Sequence, residues 1–190
     1  MDDIIKYFRY AIMFPLIMTL IVSIIIIPIL IDSGYNVVCN NISYLEEKKE
    51  FLWPTPNFTQ ISSKFGWRKS PTAGASSYHS GIDILAYQGS KILSIQDGKV
   101  IFAGWSSTGG YMVKINHANN LQSVYCHMAE NLYVRKGDNV QKGQIIGTVG
   151  PKYLSNGKLN GATTGVHLHL AIYENEKAVN PLKFFELWYI

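Results

Sequence analysis

Gly165-Val166-His167-Leu168-His169-Leu170 alternates apolar and polar side chains with a period of two. That is the pattern of a half-buried β-strand. Successive strand side chains point to opposite faces, so His167 and His169 share one face while Val166, Leu168 and Leu170 pack on the other. Two imidazoles side by side on one strand face need a reason, and a metal ion is the commonest one.

Two further stretches carry the same chemistry. Tyr78-His79-Ser80-Gly81-Ile82-Asp83-Ile84 places a histidine and an aspartate four apart, with a glycine between them and an apolar run behind. Val124-Tyr125-Cys126-His127-Met128 puts another histidine on a short β-prone run. A lone strand histidine is more often a surface or satisfied core residue than a ligand. Together, one aspartate and four histidines suffice for a zinc site of three protein ligands and a water, with two bases to spare. His117, in Ile115-Asn116-His117-Ala118, sits where a turn is expected and is read as structural. No His-Glu-x-x-His helix is present, which excludes a thermolysin-like arrangement.

Around these stretches the chain reads as β-structure. Lys91 to Ile95, Lys99 to Trp105, Tyr111 to Asn116 and Leu121 to Met128 are short and rich in β-branched and aromatic residues. Asp97-Gly98, Gly109-Gly110 and Asn119-Asn120 separate them as turns. No amphipathic helix of ordinary length follows residue 60. An all-β domain is expected: a compact antiparallel β-sheet or sandwich. Residues 134–147 suggest a hairpin of the kind found in lipoyl carrier domains. Lys136 and Lys142 lack the tight turn of a modified carrier lysine, and a carrier has no use for the histidines. Residues 151–163 form a Gly/Asn/Lys-rich loop that either lines a substrate groove or is a neutral surface insertion.

The combined motifs, from about Trp53 to Phe185, resemble those of the lysostaphin/LytM-type zinc peptidases (peptidase family M23), which cut peptides of bacterial peptidoglycan. The resemblance includes the lead-in Phe65-Gly66-Trp67-Arg68. It implies one Zn²⁺ per chain, held by His79, Asp83 and His169, with His127 and His167 as catalytic histidines. Two neutral imidazoles and one carboxylate would leave the ion a net positive charge, which suits a Lewis acid. Arg68 either holds a substrate carboxylate or pairs with an acid of the domain. Tyr78 and Tyr125 are both candidate oxyanion donors. The chain departs from the family pattern at Val166, where proline is common, and at Leu170-Ala171, where Phe-Glu is frequent. A non-catalytic wall-binding or regulatory scaffold on the same fold is the alternative, but such relatives have typically lost one or more of the five site residues. The bond cut, and any regulatory protein partner, are left open at this level.

The first part of the chain has a different composition. Residues 10–31 carry no charge, and Ile24 to Ile31 is apolar throughout. As a helix this run is about 33 Å long, enough to span a bilayer as a transmembrane helix. A cleaved signal peptide has a shorter apolar region, of about 7–15 residues, and a small-residue cleavage site; Pro28-Ile29-Leu30-Ile31-Asp32 offers none. Lys6 and Arg9 precede the run and no Lys or Arg lies between residues 32 and 41. The positive-inside rule therefore makes residues 1–9 cytoplasmic, 10–31 a signal anchor in the cell membrane, 32–52 a connector with a short helix, and 53–190 an extracytoplasmic peptidase domain, in the periplasm or on the outer face. Of 17 basic and 13 acidic residues, two and three precede residue 33, which leaves the outer part at about +5. It has no dense basic run or basic stripe of the nucleic-acid-binding kind. Cys39 and Cys126 permit a disulfide outside the cell. Alternation turns Cys126 away from Tyr125 and His127 and into the core, which argues against that bond.

Overall fold

The computed structural model describes residues 51–70 and 76–185, with a few helical positions between 28 and 36. The expected span at 10–31 and connector at 32–52 lie almost wholly outside the described residues. Among those described, no helix is long and apolar enough to cross a membrane.

The described part of residues 48–190 is built from strands: β1 (Ile61–Ser63), β2 (Gly66–Trp67), β3 (Tyr78–His79), β4 (Ile82–Ile84), β5 (Lys91–Leu93), β6 (Gly98–Ser106), β7 (Gly110–Asn116), β8 (Leu121–Met128), β9 (Asn139–Val140), β10 (Ile145–Thr148), β11 (Leu168–Glu174) and β12 (Lys177–Val179), then a 3₁₀ turn at Pro181–Lys183. Eight of them form one antiparallel sheet in the order β1-β4-β11-β8-β7-β6-β9, with β12 also paired to β11. β5 pairs with β10, and β2 with β3. The all-β antiparallel expectation agrees with this.

Period-two patterning sorts the large sheet into two faces. Ile82 and Ile84 on β4, Val113 and Ile115 on β7, Tyr125 on β8, and Leu168 and Leu170 on β11 are fully buried. They share one core with Ile92 of β5 and Ile146 of β10. The interleaved residues, Asp83, Met112, Lys114, Val124, Cys126, His169 and Ala171, line a cavity on the opposite face. Phe51 and Trp53 stack edge-on against Phe184 and Phe185, which ties the start of the domain to its end.

Two expectations need correction. Residues 134–147 do not make a hairpin: β9 pairs with β6 and β10 with β5. Gly137 and Gly143, both at positive φ, redirect the chain before each strand, so the two strands leave on different neighbours. Cys126 does not face the main core. It packs with Met112, Val124 and Ala171 on the cavity face, and Tyr125 takes the core side. Burial pushes its thiol up to about 12, which leaves it protonated and unreactive at neutral pH.

Candidate functional site

The cavity, of about 350 Å³, is lined by His79, Asp83, His127, His167 and His169 together. All five candidates therefore meet in one place, from four separate segments. Asp83 and His169 are a cross-strand pair on β4 and β11. The neighbouring Gly81 is required by this closeness: a Cβ there would lie 2.3 Å from the Leu170 carbonyl oxygen and 2.9 Å from His169 Nε2. His79 comes from the β2–β3 pair, where it opposes Gly66. His167 lies just before β11 and faces the cavity with His169.

His127 reaches the site by a different route. Strict alternation on β8 would send it to the core with Tyr125. Its φ of 59° reverses the direction of the backbone, so that Cys126 and His127, consecutive in sequence, both line the cavity. A left-handed non-glycine residue is uncommon in a strand and costs energy that the surrounding structure must supply.

Asn160 is part of that support. It is fully buried. Its side chain donates to the Met128 and Pro151 carbonyls at 2.9 and 3.2 Å and accepts from the Tyr111 amide at 3.0 Å. Its own carbonyl accepts from His127 Nδ1 at 2.8 Å. Gly110 and Gly150 make room for it, since a Cβ on either would collide with its side chain. Residues 151–163 are thus tied to β7 and β8 beside His127, and Ala162 lines the cavity. No sequence pattern singled out Asn160; its role depends on contacts made across the fold.

The hydrogen bonds decide which ring nitrogens are free. His79 Nδ1 donates to the Lys64 carbonyl at 2.8 Å. His167 Nδ1 donates to the Gly165 carbonyl at 3.1 Å. With His127 on Asn160, three histidines carry their proton on Nδ1 and leave Nε2 with a lone pair. His79 Nε2 lies 3.1 Å from Asp83 Oδ1 and 2.9 Å from His169 Nδ1, and those two are 2.9 Å apart. Three lone-pair atoms this close repel unless a proton or a cation lies between them. The donor set, two imidazoles and a carboxylate with the His79 ring fixed by a backbone carbonyl, fits zinc. His127 and His167 stand beside it, with ring centroids 4.9 Å apart, and His167 Nε2 is 3.5 Å from Asp83 Oδ1.

Electrostatics follow burial. Burial raises the Asp83 carboxyl, but the His169 and His79 ring nitrogens packed against it, and the charge of the imidazoles, outweigh that and hold the group well below the usual carboxylate range. Burial, with His167 nearby, depresses His127 to about 4. Burial also lowers His167, against the pull of Asp83. Both rings are neutral near pH 7.

The remaining candidates separate cleanly. Arg68 pairs with an acid of the domain: its guanidinium donates to Asp83 Oδ2 at 3.3 Å and to Ser63 Oγ. Tyr78 lines the cavity, between the rings of Phe65 and Trp67. Tyr125 is no oxyanion donor. It is fully buried in the core, and its hydroxyl accepts from the Ile95 amide at 2.9 Å. Tyr125→Phe should leave any hydrolytic rate unchanged while costing about 1–3 kcal/mol of stability, because the Ile95 N–H loses its partner. Denaturant unfolding read beside an activity assay checks both halves. His117 is held by the Asp97 carbonyl and Ser123 Oγ, both at 2.7 Å, a structural placement.

Comparison with known proteins gives a consistent picture. The model of peptidase family M23 matches residues 77–181. The chain is 35% identical over 138 residues to the DD-carboxypeptidase/endopeptidase Mpg of Neisseria meningitidis, covering 73% of this chain and 30% of that one. It is 34% identical over 135 residues to the peptidoglycan DD-endopeptidase ShyC of Vibrio cholerae, covering 70% and 29%. The chain thus spans less than a third of the length of these curated relatives. A zinc-containing peptidase from Vibrio cholerae has a similar solved structure, with TM-score 0.60 and 29% identity over 70% of this chain and 40% of that one.

Proposed function

This chain belongs to peptidase family M23, and from that premise we propose that it is a membrane-anchored zinc endopeptidase that hydrolyses peptide bonds of bacterial peptidoglycan. One observation carries the reading: His79, Asp83, His127, His167 and His169 converge on a single cavity, with both spare histidines turned toward the three-atom cluster. The relatives named as a peptidoglycan endopeptidase and a zinc-containing peptidase support the substrate and the metal.

His79, Asp83 and His169 are the residues that would hold the ion. When bound, zinc supplies a Lewis acid and lowers the pKa of a coordinated water toward about 7. Arg68 keeps Asp83 oriented by holding its second oxygen. His127 and His167, each with Nδ1–H on a carbonyl, present Nε2 to the reacting groups. Either can accept a proton there, and the resulting imidazolium donates to an oxyanion or to the leaving amine. Tyr78, on the cavity wall, is the remaining candidate for a second donor.

Purified full-length protein, loaded with zinc and incubated with isolated muropeptides, should release peptide fragments that mass analysis assigns to one bond type. Intact muropeptides after prolonged digestion reject the hydrolase reading.

The anchor and its orientation rest on the sequence, on the uncharged run 10–31 and on Lys6 and Arg9 before it. Protease shaving of intact cells, or of spheroplasts where an outer membrane intervenes, should remove residues 53–190. A fully protected domain rejects this topology.

A further inference from the structure

The cavity holds one charge that the hydrolytic chemistry does not use. Lys114 lines it alongside the five site residues. The other charged side chains on that lining, Arg68 and Asp83, are paired with each other. The Lys114 side chain makes no hydrogen bond or ion pair among the described residues. Toward the reacting centre its neighbours on the sheet face are apolar, Met112, Val124, Cys126 and Ala171; on its other side they are polar, with Asn116, Gln122 and Tyr173. Lys114 is half-buried, and an anionic group that reaches it along the groove gains a charge-assisted hydrogen bond.

The sheet register places this charge relative to the reacting centre. His169 lies opposite Cys126, and Ala171 opposite Val124, which in turn lies opposite Lys114. Lys114 is therefore two strands across from β11 and one same-face step along from His169. Strand spacings of about 4.8 Å, and about 6.7 Å per same-face step, separate the two Cα atoms by about 12 Å. An extended peptide covers that distance in about three residues. Beyond Lys114 the groove continues past Tyr173 to an amide-rich end with Asn116, Asn120, Gln122 and Asn175, where the exposed Glu176 also lies.

We propose that Lys114 is a carboxylate-binding subsite that selects acidic stem peptides over uncharged glycine bridges. The substrate lies extended across the sheet face. Its small apolar residues next to the scissile bond rest on Met112, Val124, Cys126 and Ala171, and a free carboxylate about three residues away meets Lys114. The proposal rests on the peptidase reading for the orientation of the substrate, and not for the binding of the carboxylate.

The test uses the zinc-loaded full chain and three probes: a synthetic stem peptide of alanine and acidic residues with free carboxylates, the same peptide with every carboxylate amidated, and pentaglycine. Hydrolysis is measured for each, and equilibrium binding is measured in parallel by calorimetry. The acidic peptide should be bound and cut best. Lys114→Met should weaken its binding and raise its KM roughly ten- to hundredfold, with kcat little changed. The amidated peptide should be almost indifferent to the substitution, and Lys114→Glu should favour it over the acidic one. Equal losses on the acidic and amidated peptides, no loss on either, or a wild-type preference for pentaglycine overturns the proposal. If nothing is cut but Lys114→Met still loses the acidic peptide in calorimetry, the subsite stands and the hydrolase reading falls.

Discussion

His169→Ala protein should hold less than about a tenth of an ion per chain under conditions that load the wild type with about one zinc, because three protein ligands become two. The prediction is sharp because of what surrounds His169. Its Nδ1 lies 2.9 Å from both His79 Nε2 and Asp83 Oδ1, so its removal opens one side of the cluster, and among the described residues no other side chain stands ready to close it. His167 is the nearest substitute, and its Nε2 is farther out, 3.5 Å from Asp83 Oδ1. Metal analysis after gel filtration gives the stoichiometry. Unfolding gives a second reading: an ion that binds only the folded chain stabilises it by about 4 kcal/mol at a thousand times its Kd. Added zinc should raise the unfolding midpoint of the wild type and leave that of His169→Ala unmoved. Equal zinc content in the two proteins removes His169 from the ligand set.

His167→Ala should keep its zinc and lose its rate. His79, Asp83 and His169 all remain, so metal content stays near one per chain. Turnover should fall by roughly 10²–10⁴, the usual worth of a positioned acid or base. The loss should appear equally in kcat and kcat/KM, because the histidine acts as charge develops in the transition state. His127→Ala should behave alike: its ring lies 4.9 Å from that of His167, and its Nδ1 is taken by the Asn160 carbonyl, so only Nε2 is free to work. Zinc lost from His167→Ala but kept by His169→Ala reverses the two assignments. Hydrolysis untouched by both His167→Ala and His127→Ala would falsify their placement in the chemistry and return the domain to a binding role.

Much of this was readable from the chain. Alternation alone put His167 and His169 on one face and Leu168 and Leu170 on the other, and the folded strand keeps that order. It worked because a half-buried strand has a period of two and an apolar face that must be covered. The same rule failed at His127; at Cys126 it held, and only the face was misassigned. One residue at positive φ breaks the period, and nothing in Val124-Tyr125-Cys126-His127-Met128 announces it. Reading β8 backward from the core would have placed Tyr125 inward and Cys126 outward, but only if the register of Ile115 and Leu170 against it were already known. Lys114 was open to the same treatment, since it alternates with Val113 and Ile115, yet a lysine on a strand has no meaning until the face it shares with His169 is identified.

The sequence by itself determined the kinds of atom available and the local geometry that offers them: a strand bearing two imidazoles, a carboxylate four residues from a third, turns at Asp97-Gly98 and Gly109-Gly110, and an all-β chain rich in β-branched residues. Those properties are set by short-range sterics and patterning, which act within a few residues. Only the tertiary structure decided that Asp83 faces His169 from the adjacent strand, that Asn160 reaches over β7 and β8 to orient His127, and that Arg68 is already committed to Asp83. Each of these depends on contacts between segments separated by 15 to 86 positions. Their energies come from burial and from hydrogen bonds closed across the fold, and no local spacing encodes which partners will meet.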